Sequence, residues 1–281
     1  MRVQLRSFRA LGALVLTLIC TVVALPAAPA SAATPLPSSM ASLGDSITRG
    51  FNACGWYVDC PSRSWSTGSS TSVNSHYSRL LARNPAISGH AYNDSRSGAR
   101  MSALATQATS AVNQKAQYVT VLMGANDACT SSESTMTPVA TFRAQFEAAM
   151  VTLSTGLPAA KVFVASIPNI NRLWYVGKNS WAARTAWSTY GICQSLLARP
   201  LSTTQADVDR RARVRQRVVD YNSALAAVCA QYPTSCKFDQ NAVFNYPFAL
   251  SQVSAWDYFH PNTSGQAVLA SVTWAQSFWA P

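Results

Sequence analysis

Two largely apolar runs, Met40–Leu43 and Tyr118–Met123, constrain this chain more than any other feature, because each is too short for a helix and neither alternates with polar residues. Such runs are the pattern of parallel strands covered on both faces, where the contrast between a core side and a solvent side disappears. Lys161–Ala165 repeats the pattern, and weaker strand signals stand at His90–Asn93 and Lys237–Asp239. Helical periodicity fills the intervals, from Asn74 to Asn84-Pro85 and from Met101 to Val112. It returns over Pro138–Thr155, where Val139, Phe142, Phe146, Met150 and Leu153 form one stripe, then over 205–231 and Thr263–Trp279. Alternating strands and helices predict a parallel sheet with helices on both faces, an α/β fold in which ligands bind beyond the carboxyl ends of the strands. Ser46, Gly98 and Asn126 each follow an expected strand and fall on that edge. Residues 50–73, rich in Ser, Gly, Cys and Trp, read as a long ordered loop, and 168–200 as an aromatic-rich excursion.

The first 32 residues read as a secretory signal peptide, with Arg2, Arg6 and Arg9, an apolar run Leu11–Leu25, and an Ala30-Ser31-Ala32 cleavage site. No later stretch reaches the roughly 18 apolar residues of a membrane span. The expectation is an exported, extracellular chain whose residues 33–281 form one domain. Cys20 lies within the leader and lacks the small residues that precede a lipidated cysteine. The other six cysteines, at 54, 60, 129, 193, 229 and 236, form an even set that predicts three disulfides in an exported protein. Sequence proximity favours Cys54–Cys60 and Cys229–Cys236 and leaves Cys129 with Cys193. No C-x-x-C is present, so no metal site is expected.

Net charge is +11, and +8 once the three leader arginines are removed. Arg210, Arg211, Arg213, Arg215 and Arg217, interspersed with Asp207, Asp209 and Asp220, read as a solvated helix face. The alternative is attraction to an anionic phospholipid surface. No nucleic-acid-binding motif accompanies them, and no nucleic-acid partner is expected.

Candidate chemistry lies in three places: Gly44-Asp45-Ser46, Gly124-Ala125-Asn126-Asp127 and Asp257-Tyr258-Phe259-His260. A serine hydroxyl attacks only when a base takes its proton, and an imidazole needs a fixed partner that holds its tautomer. Ser46, His260 and Asp257 supply those roles, and of the three histidines only His260 has a carboxylate three residues before it. A developing oxyanion needs donors, for which the N–H groups of Ser46 and Gly98 and the side-chain amide of Asn126 are candidates. Taken singly each piece has a plainer reading, since Gly-Asp-Ser and Gly-x-Asn-Asp favour turns and Asp-x-x-His suits a helix cap. Order and placement at strand ends favour the catalytic reading. His76 is expected as an exposed helix residue, His90 as a strand residue, and Asp45 and Asp127 as braces of their turns. Thr263 or Ser264 is the expected cap of the last helix.

With Ser46, Gly98, Asn126 and His260 in this order, the chain resembles the SGNH hydrolase family, also called the GDSL esterases and lipases, over essentially all of 33–281. The resemblance implies a flavodoxin-like three-layer α/β/α sandwich and hydrolysis of acyl esters without metal or cofactor. Gly-x-Ser-x-Gly, the nucleophile elbow of the α/β-hydrolases, is absent. Arg63-Ser64-Trp65-Ser66-Thr67-Gly68, Gly98-Ala99-Arg100 and Gly124-Ala125-Asn126-Asp127-Ala128-Cys129 are similar to the phospholipase B-like branch. That narrower resemblance implies an enzyme acting on phospholipids or lysophospholipids; a monomer in transient contact with lipid surfaces is expected. Short-chain, triacylglycerol or acetylated polysaccharide esters are the alternative. A disulfide-stapled binding protein that reuses the fold is the reading from another class, disfavoured by the intact Ser, Asn and His. Trp56, Trp65 and the tryptophans of 168–200 either line an acyl groove, touch an interface or pack over the core.

Overall fold

All residues of Met40–Gly44 (β1) and Tyr118–Leu122 (β3) are buried, and both segments are strands. The computed structural model describes residues 1–4 and 34–280. The expected leader therefore lies, beyond its first residues, outside the described residues, together with Cys20 and the cleavage site. From Thr34 onward the chain is one unit. Ala91–Asn93 (β2), Lys161–Val164 (β4) and Cys236–Phe238 (β5) complete a sheet of order β2-β1-β3-β4-β5, parallel throughout. In this order the chain runs to one side from β1 and then crosses to the other. The resulting switch point lies between β1 and β3, where doubly wound sheets open a crevice.

Among the described residues the helices are α1 (Ser46–Arg49), α2 (His76–Leu81), α3 (Leu104–Asn113), α4 (Ala125–Ala128), α5 (Val139–Gly156) and α6 (Ile170–Gly177), followed by α7 (Trp181–Thr189), α8 (Gln194–Leu197), α9 (Gln205–Cys229), α10 (Ala242–Asn245) and α11 (Thr263–Trp274). Helices α3, α5 and α9 pack side by side, with α3 against β1. On the other face, chosen by strict alternation along the strands, Ser42 and Thr120 meet Thr67 and Ser66 through hydroxyl pairs at 3.1 and 2.6 Å. There the 61–75 segment, α2 and α11 do the covering. Trp65 is fully buried, with its indole N–H on Thr48 Oγ1 and its backbone N–H on Gln266 Oε1. It packs the core instead of touching a substrate groove or an interface. Burial of a side chain of this size contributes roughly 1.5–3 kcal/mol.

His76 corrects its sequence expectation. It is fully buried between Tyr118 Oη at 2.7 Å and Thr273 Oγ1 at 2.8 Å, with Trp65 and Trp274 edge-on to its ring. Burial, assisted by the nearby Arg79 charge, pushes the imidazole down to about 3, so it is neutral. His90 is exposed and precedes β2, whose pairing begins at Ala91. The closing helix ends at Trp274, and Asn262, not Thr263 or Ser264, caps it by accepting from the Gly265 N–H.

Disulfides join Cys54 to Cys60, Cys129 to Cys193 and Cys229 to Cys236. The arginines of α9 are not a free solvated face. Arg210 holds the carbonyls of Ser195 and Ala198 and the Asp207 carboxylate, Arg211 is buried against the Trp174 ring, and Arg217 holds the Thr137 carbonyl. Arg213 pairs with Glu133. Most of these guanidinium groups stitch α9 to its neighbours, while Arg213 and Arg215 are exposed.

Candidate active site

Strand β1 ends where glycine is required, because a Cβ on Gly44 would lie 2.4 Å from the Leu122 carbonyl oxygen. The Gln107 side chain clasps this point, accepting from Gly44 N–H at 2.7 Å and donating to Gly44 O at 2.9 Å. Asp45 then caps α1 by accepting from the Ile47 N–H at 2.9 Å, and Ser46 becomes the first residue of the helix. A backbone N–H in that first turn has no partner within the helix. Asp45 is fully buried, and one of its carboxylate oxygens has no partner among the described residues. Burial pushes its carboxyl up to about 7, although the Ile47 N–H and the His260 charge oppose the rise.

Ser46 Oγ lies 2.7 Å from His260 Nε2, and His260 Nδ1 lies 2.6 Å from Asp257 Oδ2. The other carboxylate oxygen, Oδ1, accepts from the N–H groups of Phe259 and His260 at 2.9 and 3.0 Å. Burial by itself raises the Asp257 carboxyl; the hydrogen bond from His260, its charge and these N–H groups outweigh burial and hold it below the ordinary value. The pair stands in a loop that closes on itself: Ser254 N–H donates to the His260 carbonyl, Val253 bridges to Pro261, and Asn262 Nδ2 reaches the Val253 carbonyl. Trp187 of α7 donates its indole N–H to the Tyr258 carbonyl at 2.9 Å.

Asn126 stands in α4 just after β3, and its Nδ2 donates to the Ala99 carbonyl at 2.9 Å. That bond ties it to the turn in which Gly98 takes φ +80°, a left-handed conformation that favours glycine. Ser46, Gly98 and Asn126 thus follow the adjacent strands β1, β2 and β3. Asp127 braces this wall, accepting from Met101 N–H and Thr137 Oγ1.

Asn52 carries no motif, and its partner is 205 residues away: its Nδ2 donates to Asp257 Oδ2 at 2.6 Å. Phe51 packs its ring against the His260 imidazole with centroids 4.9 Å apart. Gln107 is equally silent in sequence. An apolar cavity of about 60 Å³ is lined by Ile47, Ala125, Ile170, Leu173, Phe248 and Phe259, among others. Ile47, Ala125 and Phe259 are sequence neighbours of Ser46, Asn126 and His260. A hydroxyl, imidazole and carboxylate in this series can move the hydroxyl proton to Nε2 as the oxygen attacks, with the carboxylate stabilising the imidazolium.

The family described as GDSL-like Lipase/Acylhydrolase matches residues 40–272. No curated protein matches the chain in sequence. Among solved structures, an extracellular lipase from Streptomyces rimosus is 19% identical with a TM-score of 0.50, covering 85% of this chain and 99% of its own. A phospholipase A1 from Streptomyces albidoflavus NA297 is 17% identical with a TM-score of 0.50, over the same shares of both chains. A catalytic mutant of an acetylxylan esterase from Geobacillus stearothermophilus is 13% identical with a TM-score of 0.54, covering 86% of this chain and 94% of its own. At these identities the likeness is one of fold, the three-layer α/β/α arrangement around a parallel sheet.

Proposed function

The chain belongs to the GDSL-like lipase/acylhydrolase family and is a carboxylic ester hydrolase, and from that premise we propose that it is an exported, monomeric enzyme releasing fatty acids from phospholipids or lysophospholipids through an acyl-serine intermediate. Ser46 Oγ attacks the ester carbonyl carbon while His260 Nε2 takes its proton, and Asp257 holds Nδ1–H and offsets the imidazolium charge. The oxyanion is held by the N–H groups of Ser46 and Gly98 and by Asn126 Nδ2. The alcohol leaves with the proton from His260, and water then frees the acyl group by the same relay. The observation that carries this reading is the unbroken contact of Ser46, His260 and Asp257 at 2.7 and 2.6 Å, with the sequence neighbours Ile47 and Phe259 lining an apolar cavity.

A largely apolar cavity suits an acyl chain, and Asn169 and Gln252 add polar groups to its lining. Three disulfides suit an oxidising compartment, and among the described residues no helix is long and apolar enough to cross a membrane. The proposal of export rests on the disulfides and on the leader expected from the sequence. The narrowness of the slot favours a second reading, a general esterase of short acyl groups, since about 60 Å³ holds only a few water molecules at the 10–15 Å³ or so each requires. A panel of phosphatidylcholine, lysophosphatidylcholine, tributyrin and nitrophenyl acetate separates the two. Release of both fatty acids from phosphatidylcholine, with lysophospholipid rising and then falling, is the expected result. Turnover of tributyrin or nitrophenyl acetate with no release from any phospholipid leaves the second reading. Failure of the protein to react with a fluorophosphonate probe overturns the serine mechanism altogether.

A further inference from the structure

The loop that follows α1 reaches the Asp257–His260 pair from a remote part of the chain. Asn52 sits there in the left-handed conformation, φ 58°, and is almost fully buried. Its backbone N–H donates to the Val58 carbonyl at 2.9 Å, its Oδ1 accepts from the Tyr57 N–H at 2.6 Å, and its Nδ2 donates to Asp257 Oδ2 at 2.6 Å. The residue before it, Phe51, supplies the ring against His260. The loop is closed by Cys54–Cys60 and pinned from both sides: Asp59 accepts from Arg49 and from Ser97, and the Ala53 carbonyl accepts from Arg63 and Thr263.

Among the described residues Asp257 Oδ2 accepts from only two groups, His260 Nδ1 and Asn52 Nδ2, so the amide joins the backbone N–H groups on Oδ1 in setting where the carboxylate sits and where the imidazole points. We infer that Asn52 is a positioning residue of the hydrolytic site, acting through Asp257, and that the Cys54–Cys60 loop serves catalysis by holding Asn52 and Phe51 against the base. This rests on the reading of Ser46, His260 and Asp257 as the reacting relay. A buried amide with both of its ends engaged is a fixed donor, whereas a water in its place would reorient freely. The left-handed backbone explains why asparagine suits the position, since Asn tolerates that conformation better than other residues with an amide or acid of greater length. The ionisable groups around His260 are Asp257, the buried Asp45 whose charge acts on it, and Tyr57 across the Phe51 ring; no Lys or Arg among the described residues bonds to His260 or Asp257.

Asn52→Asp isolates the contact, because an acceptor oxygen remains for the Tyr57 N–H while the donor to Asp257 becomes a second carboxylate. The expected result on nitrophenyl acetate is a kcat lower by roughly 10- to 100-fold with KM unchanged, the size of loss that misplaced catalytic groups produce. The acid limb of the kcat/KM profile should also move, since a carboxyl in place of the amide 2.6 Å from Asp257 Oδ2 changes the charge and proton sharing that the base faces. Asn52→Gly keeps the left-handed backbone and removes the amide, and its kcat should fall in the same way. Opening the loop with Cys54→Ser and Cys60→Ser together should lower kcat at a temperature where circular dichroism shows the fold intact. A folded Asn52→Asp or Asn52→Gly protein with wild-type kcat and acid limb overturns the inference; if Asn52→Asp does not fold, Asn52→Gly and the double serine variant decide it by the same readouts. Ser46→Ala, run beside them, separates the two failures. Activity surviving in Ser46→Ala sinks the relay, whereas its loss alongside normal Asn52 variants sinks only the positioning role.

Discussion

The two walls of the site are held in different ways. Ser46, Gly98 and Asn126 follow β1, β2 and β3, so their places are set by the strand ladder and, before Ser46, by a glycine that the Leu122 carbonyl crowds. Asp257 and His260 stand on a loop outside the sheet, held by side chains of remote segments: Asn52, Phe51 and Trp187. A wall built on the ladder shares its stability with the core, while a loop wall depends on a few bonds, each of which can be lost alone. Losing a support of the ladder wall should therefore move stability and activity together, whereas losing a support of the loop wall, or a reacting atom of either, should move activity by itself.

The largest expected effect is that of Ser46→Ala, which removes the attacking oxygen without opening a cavity and should lower turnover by roughly 10⁶-fold with an unchanged Tm. Measurable turnover near the wild-type rate would falsify the nucleophile assignment. On the loop wall, Asp257→Asn keeps the shape but favours the wrong imidazole tautomer, and kcat should fall about 10⁴-fold. A loss of less than tenfold would mean that the loop backbone, not the carboxylate, orients His260. On the sheet wall, Asn126→Ala should lower kcat by roughly 10² to 10³, the usual loss for one oxyanion donor. Steady-state kinetics showing a change in KM alone would make Asn126 a binding residue.

Disulfides sharpen the comparison. Cys129–Cys193 spans 64 residues and joins α4 to α8, whereas Cys54–Cys60 spans only 6 in the loop wall. Opening the long one should lower stability by about 4 kcal/mol against about 2.5 for the short one, on chain-entropy grounds. Activity at permissive temperature should respond in the opposite order. Equal effects of both pairs on Tm and kcat would erase the distinction between the walls.

A pH slope tests a buried group beside Ser46. The Asp45 carboxyl is raised in the folded protein to about 7 from 3.8. The folded state then holds a proton that the unfolded chain has released, so this group's contribution is full below about pH 4 and is lost as pH rises towards 7. An asparagine side chain at this position would keep an acceptor for the Ile47 N–H and carry no charge. The stability of Asp45→Asn relative to wild type should therefore grow between pH 4 and 7 and level off above, as denaturant midpoints can show. A difference that is flat across that window removes Asp45 as a buried titrating group. His76 acts with the opposite sign, since its neutral burial is lost as pH falls from 6.5 towards 3.

Local pattern was enough for much of this. The continuous apolar runs marked the central strands because burial on both faces leaves no alternation, and the turn residues after them marked the edge where Ser46 and Asn126 stand. The Asp257 to His260 spacing was legible because a tight turn brings both side chains together within one segment. What the sequence could not show depends on segments that meet only when the sheet closes. Asn52 reaches Asp257 across 205 residues and carries no pattern of its own, and Gln107 reaches Gly44 from a helix that otherwise reads as a plain amphipathic stretch. His76 looked like a surface residue because periodicity says which face of a helix is apolar but not whether a polar group finds partners inside; Tyr118 and Thr273 supply them from β3 and α11. The arginines of α9 followed the same logic in reverse, since composition counts charges and only packing pairs them with carbonyls. Sequence by itself determined which residue types lie at strand ends, through local burial and turn propensity. The tertiary structure decided which of them are held rigid, because hydrogen bonds between distant segments exist only once the chain between them has folded.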